Sequence, residues 1–371
     1  MKAQLAMRLL ADLMNWDEAT ATREFAWLRL MVGAKYDHYQ GYSPGARFYV
    51  SLLAWIGQFQ PKDRAAAYAL IRERLIFISQ EEMHHLVALT MPILQRAMRR
   101  EVAQSLHVPI YRTWGGEAAE RRLHLMALRT LYVGLSDGAK IDIFRRENEG
   151  VVSTEQVVAA SEISDEKWEK VATELRKRLN SAGFQDEEAR FERVCLIDDF
   201  TASGTTLIRQ ADTGQWVGKI PTFCNQNVEK VGRVLSAGCC IHVHHYLGTA
   251  RATEIAQTSI EAFRLVNQTF RFAITFSAKL SESIVINDNA TQDLVRLLKS
   301  YYDPSVHQSN SHLGVDVWYG YKQCGLPLVL HHNTPNNSVA ILWAASGAKH
   351  APQAHRMKPL FSRKQRHIDH G

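Results

Sequence analysis

Up to about residue 127 the apolar positions recur at three- and four-residue spacing. They do so around Phe25, Trp27, Leu28, Leu30 and Met31, and again around Tyr49, Leu52, Leu53 and Ile56. That spacing sets them on one face of a helix. The run Gly41-Tyr42-Ser43-Pro44-Gly45 separates these two helices, and Pro61 opens another. Leu70 to Arg100 continues in the same style, with Pro92 at a kink or a new start. Residues 1–127 are expected to form an all-helical domain. The pattern then changes to short, unalternating apolar runs at 131–135, 194–197, 239–246, 272–276 and 326–330, with helical segments between them. Such runs predict an α/β domain over residues 128–345, a parallel sheet with helices on both faces. Between the first two runs a helix is expected from Asp165 to Asn180. Ser164 would be its N-cap, Gly183 would follow its end, and Trp168, Val171, Leu175 and Leu179 would form its buried stripe.

Composition narrows the class. The chain has 371 residues, 46% hydrophobic and 22% charged, which suits two globular domains or one large one. The best candidate for a membrane segment, Ala3 to Met14, is broken by Arg8 and Asp12, so no span and no secretory signal are expected. The five cysteines are odd in number and have no CxxC spacing, which points to a reducing, cytoplasmic setting. The net charge of +6 is unevenly placed, because six basic residues against one acid fall between Lys349 and Gly371. The body is nearly balanced, and the excess sits in a His-rich tail, residues 346–371. That tail is either solvated or a contact for nucleic acid or an acidic partner.

The chemistry concentrates in Val194-Cys195-Leu196-Ile197-Asp198-Asp199-Phe200-Thr201-Ala202-Ser203-Gly204-Thr205-Thr206-Leu207. It reads as a buried strand, two carboxylates at its carboxyl end, a loop of hydroxyls and glycine, and the start of a helix. Backbone N–H groups at a helix N-terminus favour an anion. Ser203, Thr205 and Thr206 add hydroxyl donors, and Gly204 lets the backbone approach a phosphate. Asp198 and Asp199 suit the two hydroxyls of a ribose or the waters around Mg²⁺. The stretch is a candidate ribose-phosphate cradle.

Its order of four apolar residues, two acids, three variable positions and Ser/Thr-Gly-x-Thr resembles the phosphoribosyl-pyrophosphate (PRPP) loop of type I phosphoribosyltransferases. The resemblance implies that Asp198 and Asp199 hold the ribose hydroxyls while Thr201, Ala202, Ser203, Gly204, Thr205 and Thr206 wrap the 5-phosphate. It also implies an earlier, strained pyrophosphate loop. Ser136-Asp137-Gly138-Ala139-Lys140 lies upstream in the right order, with Lys140 and its backbone amides facing the leaving group. Where 6-oxopurine enzymes carry an aspartate base, this chain has Ala202, as adenine-type enzymes do, so a base must come from elsewhere. The helical leader, the 198–206 loop and the segment Gly325 to Asn337 together resemble the PRTase-CE family of bacterial conflict systems. That likeness implies a phage-defence effector working with a defence-system partner protein. A non-catalytic PRPP or nucleotide sensor is the alternative, and a nucleic-acid or partner-binding module using the helical domain and tail is a further one.

Three constellations are less specific. His331 to Asn337 would line an acceptor pocket through His332 and Asn333, or form an Asx-rich turn. Strand alternation sets His242 and His244 on one face and His245 on the other, which leaves His245 a candidate pocket residue. Glu81-Glu82-Met83-His84-His85 holds two overlapping ExxH pairs without a second copy, and is expected to be a solvated face or a partner surface.

Overall fold

In the computed structural model, which describes residues 3–41, 47–304, 306, 317–346 and 357–363, contacts divide the chain into two units. One comprises Met1–Met83 with Ser281–Gly371, and the other His84–Leu280. The expected boundaries at 127 and 345 therefore fall inside units.

The first unit packs the helices α1 (Ala3–Met14), α2 (Glu18–Ala34), α3 (Arg47–Gly57), α4 (Pro61–Ala69) and α12 (Gln292–Ser300) around a core that includes Leu28, Leu52, Trp55, Phe77 and Leu297. It is not all helical. Ile76-Phe77-Ile78, β-branched and aromatic, forms a strand, β1, which pairs in parallel with β9 (Leu328–Leu330). The apolar run at 326–330 thus joins this small pair and not the main sheet. Of the turn expected at Gly41 to Gly45, residues 42–45 lie outside the described residues. The same holds for most of the basic tail. Within its described part Met357, Leu360 and Phe361 are buried. The Phe361 ring lies 5.2 Å from Tyr39 and 5.7 Å from both Phe48 and Phe77, so this piece of the tail is core and not a solvated extension.

In the second unit the apolar runs become β2 (Thr130–Gly134), β4 (Phe191–Thr201), β7 (Leu235–Thr249) and β8 (Arg271–Leu280). A short strand that periodicity did not reveal, β3 (Val157–Val158), completes a five-stranded parallel sheet in the order β3-β2-β4-β7-β8. The face carrying Leu131, Val194, Leu196, Ile241 and Val243 packs on α9 (Asp165–Ser181), α10 (Lys219–Asn227) and α11 (Ala250–Val266). The expected helix after Ser164 is α9. Ser164 accepts from the Lys167 N–H at 3.2 Å, and the buried stripe is the predicted one.

The opposite face is polar. It faces α6 (Thr90–Ser105), which starts just before Pro92 and follows α5 (Gln80–Ala88). Arg193, 2% exposed, donates from Nη2 to Glu101 at 2.5 Å and from Nη1 to His242 Nδ1 at 2.7 Å. A guanidinium can only donate, so His242 accepts at Nδ1 and donates from Nε2 to Thr275 Oγ1 at 2.8 Å. Thr275 in turn donates to His244 Nδ1 at 2.9 Å, and His244 Nε2 reaches Ser277 at 3.0 Å and Thr90 at 3.2 Å. Ser277 ends the chain on the Leu86 carbonyl at 2.7 Å. The placement of His242 and His244 on one face is as alternation requires. α7 (Glu117–Leu128) precedes β2, and α8 (Ile141–Glu147) follows it.

Candidate functional site

From β2 the chain goes to β3 on one side, and from β4 it goes to β7 on the other. The crevice between the carboxyl ends of β2 and β4 is therefore the topological switch point, the place where open parallel sheets take up ligands. Both loops singled out in the sequence open there. Leu135 N–H donates to the Ile197 carbonyl at 2.8 Å, and Ser136 Oγ donates to Asp198 Oδ1 at 2.5 Å.

Asp198 and Asp199, both buried, diverge as neighbouring strand residues must. Asp198 stands in register with His245, and its Oδ2 is ion-paired with Lys219, the first residue of α10. Asp199 lies on the other side, against Gly138, where a Cβ would overlap its carboxylate. Only glycine at 138 lets the early loop close onto that acid. Burial, with Asp199 and Asp198 nearby, pushes the Tyr246 phenol well above its ordinary value. The phenol stays protonated and donates to the Ala139 carbonyl at 2.5 Å. Lys140 adopts φ 47° and ψ 37°, and its carbonyl accepts from Ile143 and Phe144 at 3.0 Å each. Asp137 is exposed at the tip.

In the later loop Ala202 is buried, and its carbonyl accepts from Thr249 Oγ1 at 2.7 Å. Ser203 and Thr205 hydroxyls are 2.9 Å apart. Gly204 has φ +71°, and a Cβ there would stand 2.9 Å from the Ala252 carbonyl, so both conformation and space demand glycine. No helix begins at Leu207. Leu207 and Ile208 close one turn on the Gly204 carbonyl at 3.1 and 3.3 Å. The chain then makes a hairpin, β5 (Arg209–Gln210) with β6 (Trp216–Val217), before α10. The helix dipole expected at this loop is thus absent, and Thr206 instead accepts from the Lys219 N–H at 3.1 Å. Two buried polar atoms here have no hydrogen-bond partner, Thr201 Oγ1 and His245 Nδ1. His245 stacks on Phe276 with ring centroids 5.9 Å apart. Burial pulls its pKa down to about 4, with the Asp198 charge opposing and Lys219 reinforcing.

The PRTase-CE family model matches residues 52–363. The chain belongs to the PRTase-CE family. The name of that family carries a phosphoribosyltransferase-like function and a possible transferase class. No curated protein and no solved structure matches the chain. The PRTase-CE match takes in both loops, β9 and the buried end of the tail.

The remaining candidates of this PRTase-CE chain sort by unit. His332 and Asn333 belong to the first unit, whereas the loops above belong to the second. Asn333 exchanges backbone bonds with Leu330 at 3.0 and 3.1 Å, and its Oδ1 accepts from the Thr334 N–H at 3.0 Å. That is the Asx turn. Glu82 accepts from the Ser79 N–H at 2.8 Å and from Lys35 at 2.6 Å, so the second glutamate of the ExxH run caps a helix. Among the described residues no three His, Cys, Asp or Glu side chains converge, and no helix is long and apolar enough to cross a membrane. Lys219 is the site residue that periodicity did not reveal. The signal for it was present in Asp212-Thr213-Gly214, a turn sequence that interrupts the presumed helix and returns the chain to Asp198.

Proposed function

We propose that the switch-point crevice binds PRPP in the manner of a type I phosphoribosyltransferase, transfers its phosphoribosyl group, and does so as a phage-defence effector in the cytoplasm with a defence-system partner. The observation that carries this reading is the Ser136–Asp198 contact, which joins the two loops where a diphosphate and a ribose would meet. Thr201 to Thr206 hold the 5-phosphate, and the unpartnered Thr201 hydroxyl is a donor in waiting. Asp198 and Asp199 hold the ribose hydroxyls. Ser136 to Lys140 receive the diphosphate as the anomeric C–O bond breaks with its electron pair and an acceptor nucleophile bonds to that carbon.

The donor set fits Mg²⁺ carried in on the diphosphate. Asp199 abuts the diphosphate loop at Gly138, while Asp198 is already engaged by Lys219 and Ser136. Asp199 would hold the ion directly or through its waters, with Asp198 beside it. When bound, the ion neutralises the charge of the leaving diphosphate.

Calorimetric titration with PRPP and Mg²⁺ tests the reading. We expect binding that the Asp198→Asn/Asp199→Asn double variant weakens on the order of 100-fold, since two charge-assisted hydrogen-bond acceptors are lost. Gly138→Ala, which forces the Asp199 carboxylate aside, is expected to lose affinity with its thermal midpoint nearly unchanged. No heat with folded wild-type protein would refute the proposal. Buried Ala202, which puts no carboxylate at the place of the aspartate base, favours one second reading, a sensor that binds PRPP without turnover. Release of diphosphate from bound PRPP would rule that out.

A further inference from the structure

The segment between α6 and α7 exposes what most surfaces hide. Tyr111 is 65% exposed, Trp114 58% and Leu106 40%. Tyr111 and Trp114 are three residues apart on the 3₁₀ turn Ile110–Thr113 and its cap, the spacing at which 3₁₀ side chains eclipse. Arginines flank them. The Arg99 guanidinium lies 4.6 Å from the Trp114 ring centre, and that of Arg112 5.9 Å from Tyr111. Arg96, Arg100 and Arg112 are exposed. The one acid between Arg96 and Trp114 is Glu101, which is held by buried Arg193. Beside the turn an open groove of about 640 Å³ is lined by Arg100, Gln104, His107 and Pro109.

The turn is rigid as well as exposed. Arg99 Nη1 donates to the Thr113 carbonyl at 2.6 Å, and Thr113 Oγ1 donates to the Ile110 carbonyl at 2.7 Å. Thr113 itself is fully buried. The rings are thus presented on a preorganised support, and binding to them orders little. This surface lies by the Glu101–Arg193 pair, at the amino ends of the strands, whereas the ribose-phosphate crevice opens at their carboxyl ends.

From these observations we propose that the α6–α7 turn binds single-stranded nucleic acid, with Tyr111 and Trp114 stacking on bases and Arg96, Arg100 and Arg112 meeting the phosphates. Aromatic faces beside guanidiniums are the elements of such sites. An acidic peptide would use the arginines and leave the rings idle. The proposal is independent of PRPP chemistry and places nucleic-acid contact on the folded second unit and not on the tail.

The test is fluorescence anisotropy of the full-length protein with labelled oligo-U RNA and oligo-dT DNA of about 15 nucleotides, at about 50 and 200 mM salt. Tyr111→Ala/Trp114→Ala keeps every charge, and is expected to weaken binding about tenfold or more with the salt slope unchanged. Tyr111→Phe/Trp114→Phe, which keeps the rings, should restore most of the affinity. Arg100→Ala/Arg112→Ala should flatten the salt slope by about one. The comparison of RNA with DNA shows which sugar is preferred. Leu265→Ala/Val266→Ala, which removes exposed apolar side chains elsewhere, should change nothing. Wild-type affinity in the aromatic double variant would overturn the proposal. So would failure to bind either oligonucleotide at low salt, or displacement by polyglutamate as effective as by unlabelled oligonucleotide.

Discussion

Arg193→Ala is expected to destabilise the second unit by about 3 kcal/mol or more, the usual effect of breaking a buried ion pair from one side. The side chain sits within the sheet at 2% exposure, where three partners depend on it. Glu101 would lose its short contact and keep only Arg271 at 3.6 Å. His242 would lose the donor to Nδ1, and Cys240 Sγ the guanidinium 3.3 Å away. A void of most of an arginine would remain. Because Glu101 is 30% exposed, water can resolvate its carboxylate, which keeps the loss at the lower end of the range. Urea unfolding of the single variants, Glu101→Gln and the double variant closes a cycle. A coupling below about 0.5 kcal/mol would show that the two side chains act independently.

The second large effect is a loss of stability in acid. Burial lowers the pKa of His244 to about 3, with His245 adding to it, and that of His245 to about 4. His242 is lowered by burial first and then by the charges of Arg193 and His244. All three are neutral in the folded protein and take up protons near pH 6.5 once unfolded. Below pH 6.5 the unfolded chain therefore binds more protons, and stability falls as pH falls. Their contribution is complete above pH 6.5 and is lost down to the folded values near 4 and 3. Each histidine adds about 1.4 kcal/mol per pH unit to the slope inside that window. Unfolding free energy measured between pH 7 and 4 should show this steep decline, and His244→Gln should make it shallower by one proton. An unchanged slope in that variant would contradict the assignment.

How far these features could be read from the sequence depends on how local they are. The β4 strand, its two acids and its glycine loop are contiguous, so apolar run, spacing and residue type disclose them together. The loop at Ser136 required chain order to give it meaning. Lys219 reaches Asp198 through a hairpin of two-residue strands, too short for periodicity to register, and the run from Leu207 was read as helix. Ile76-Phe77-Ile78 lies among helical patterns and becomes a strand only because Leu328–Leu330 supplies a partner. The same non-local pairing hides the unit boundaries, since composition does not shift where the chain leaves one unit and re-enters it. Phe361 looked like a lone aromatic in a basic tail because its four aromatic neighbours, Tyr36, Tyr39, Phe48 and Phe77, are all encoded near the other end of the chain.

That arrangement sets a timetable for synthesis. The second unit is one uninterrupted stretch, His84–Leu280, and can fold as soon as Leu280 has cleared the ribosome. The first unit cannot. Its early helices emerge first but must wait for β9 to pair with Ile76–Ile78, and for Phe361 to fill their aromatic cluster. Until then they present unburied apolar surface. A stop codon that removes only the last few dozen residues would leave the ribose-phosphate crevice encoded and folded on a chain whose beginning never finds its core.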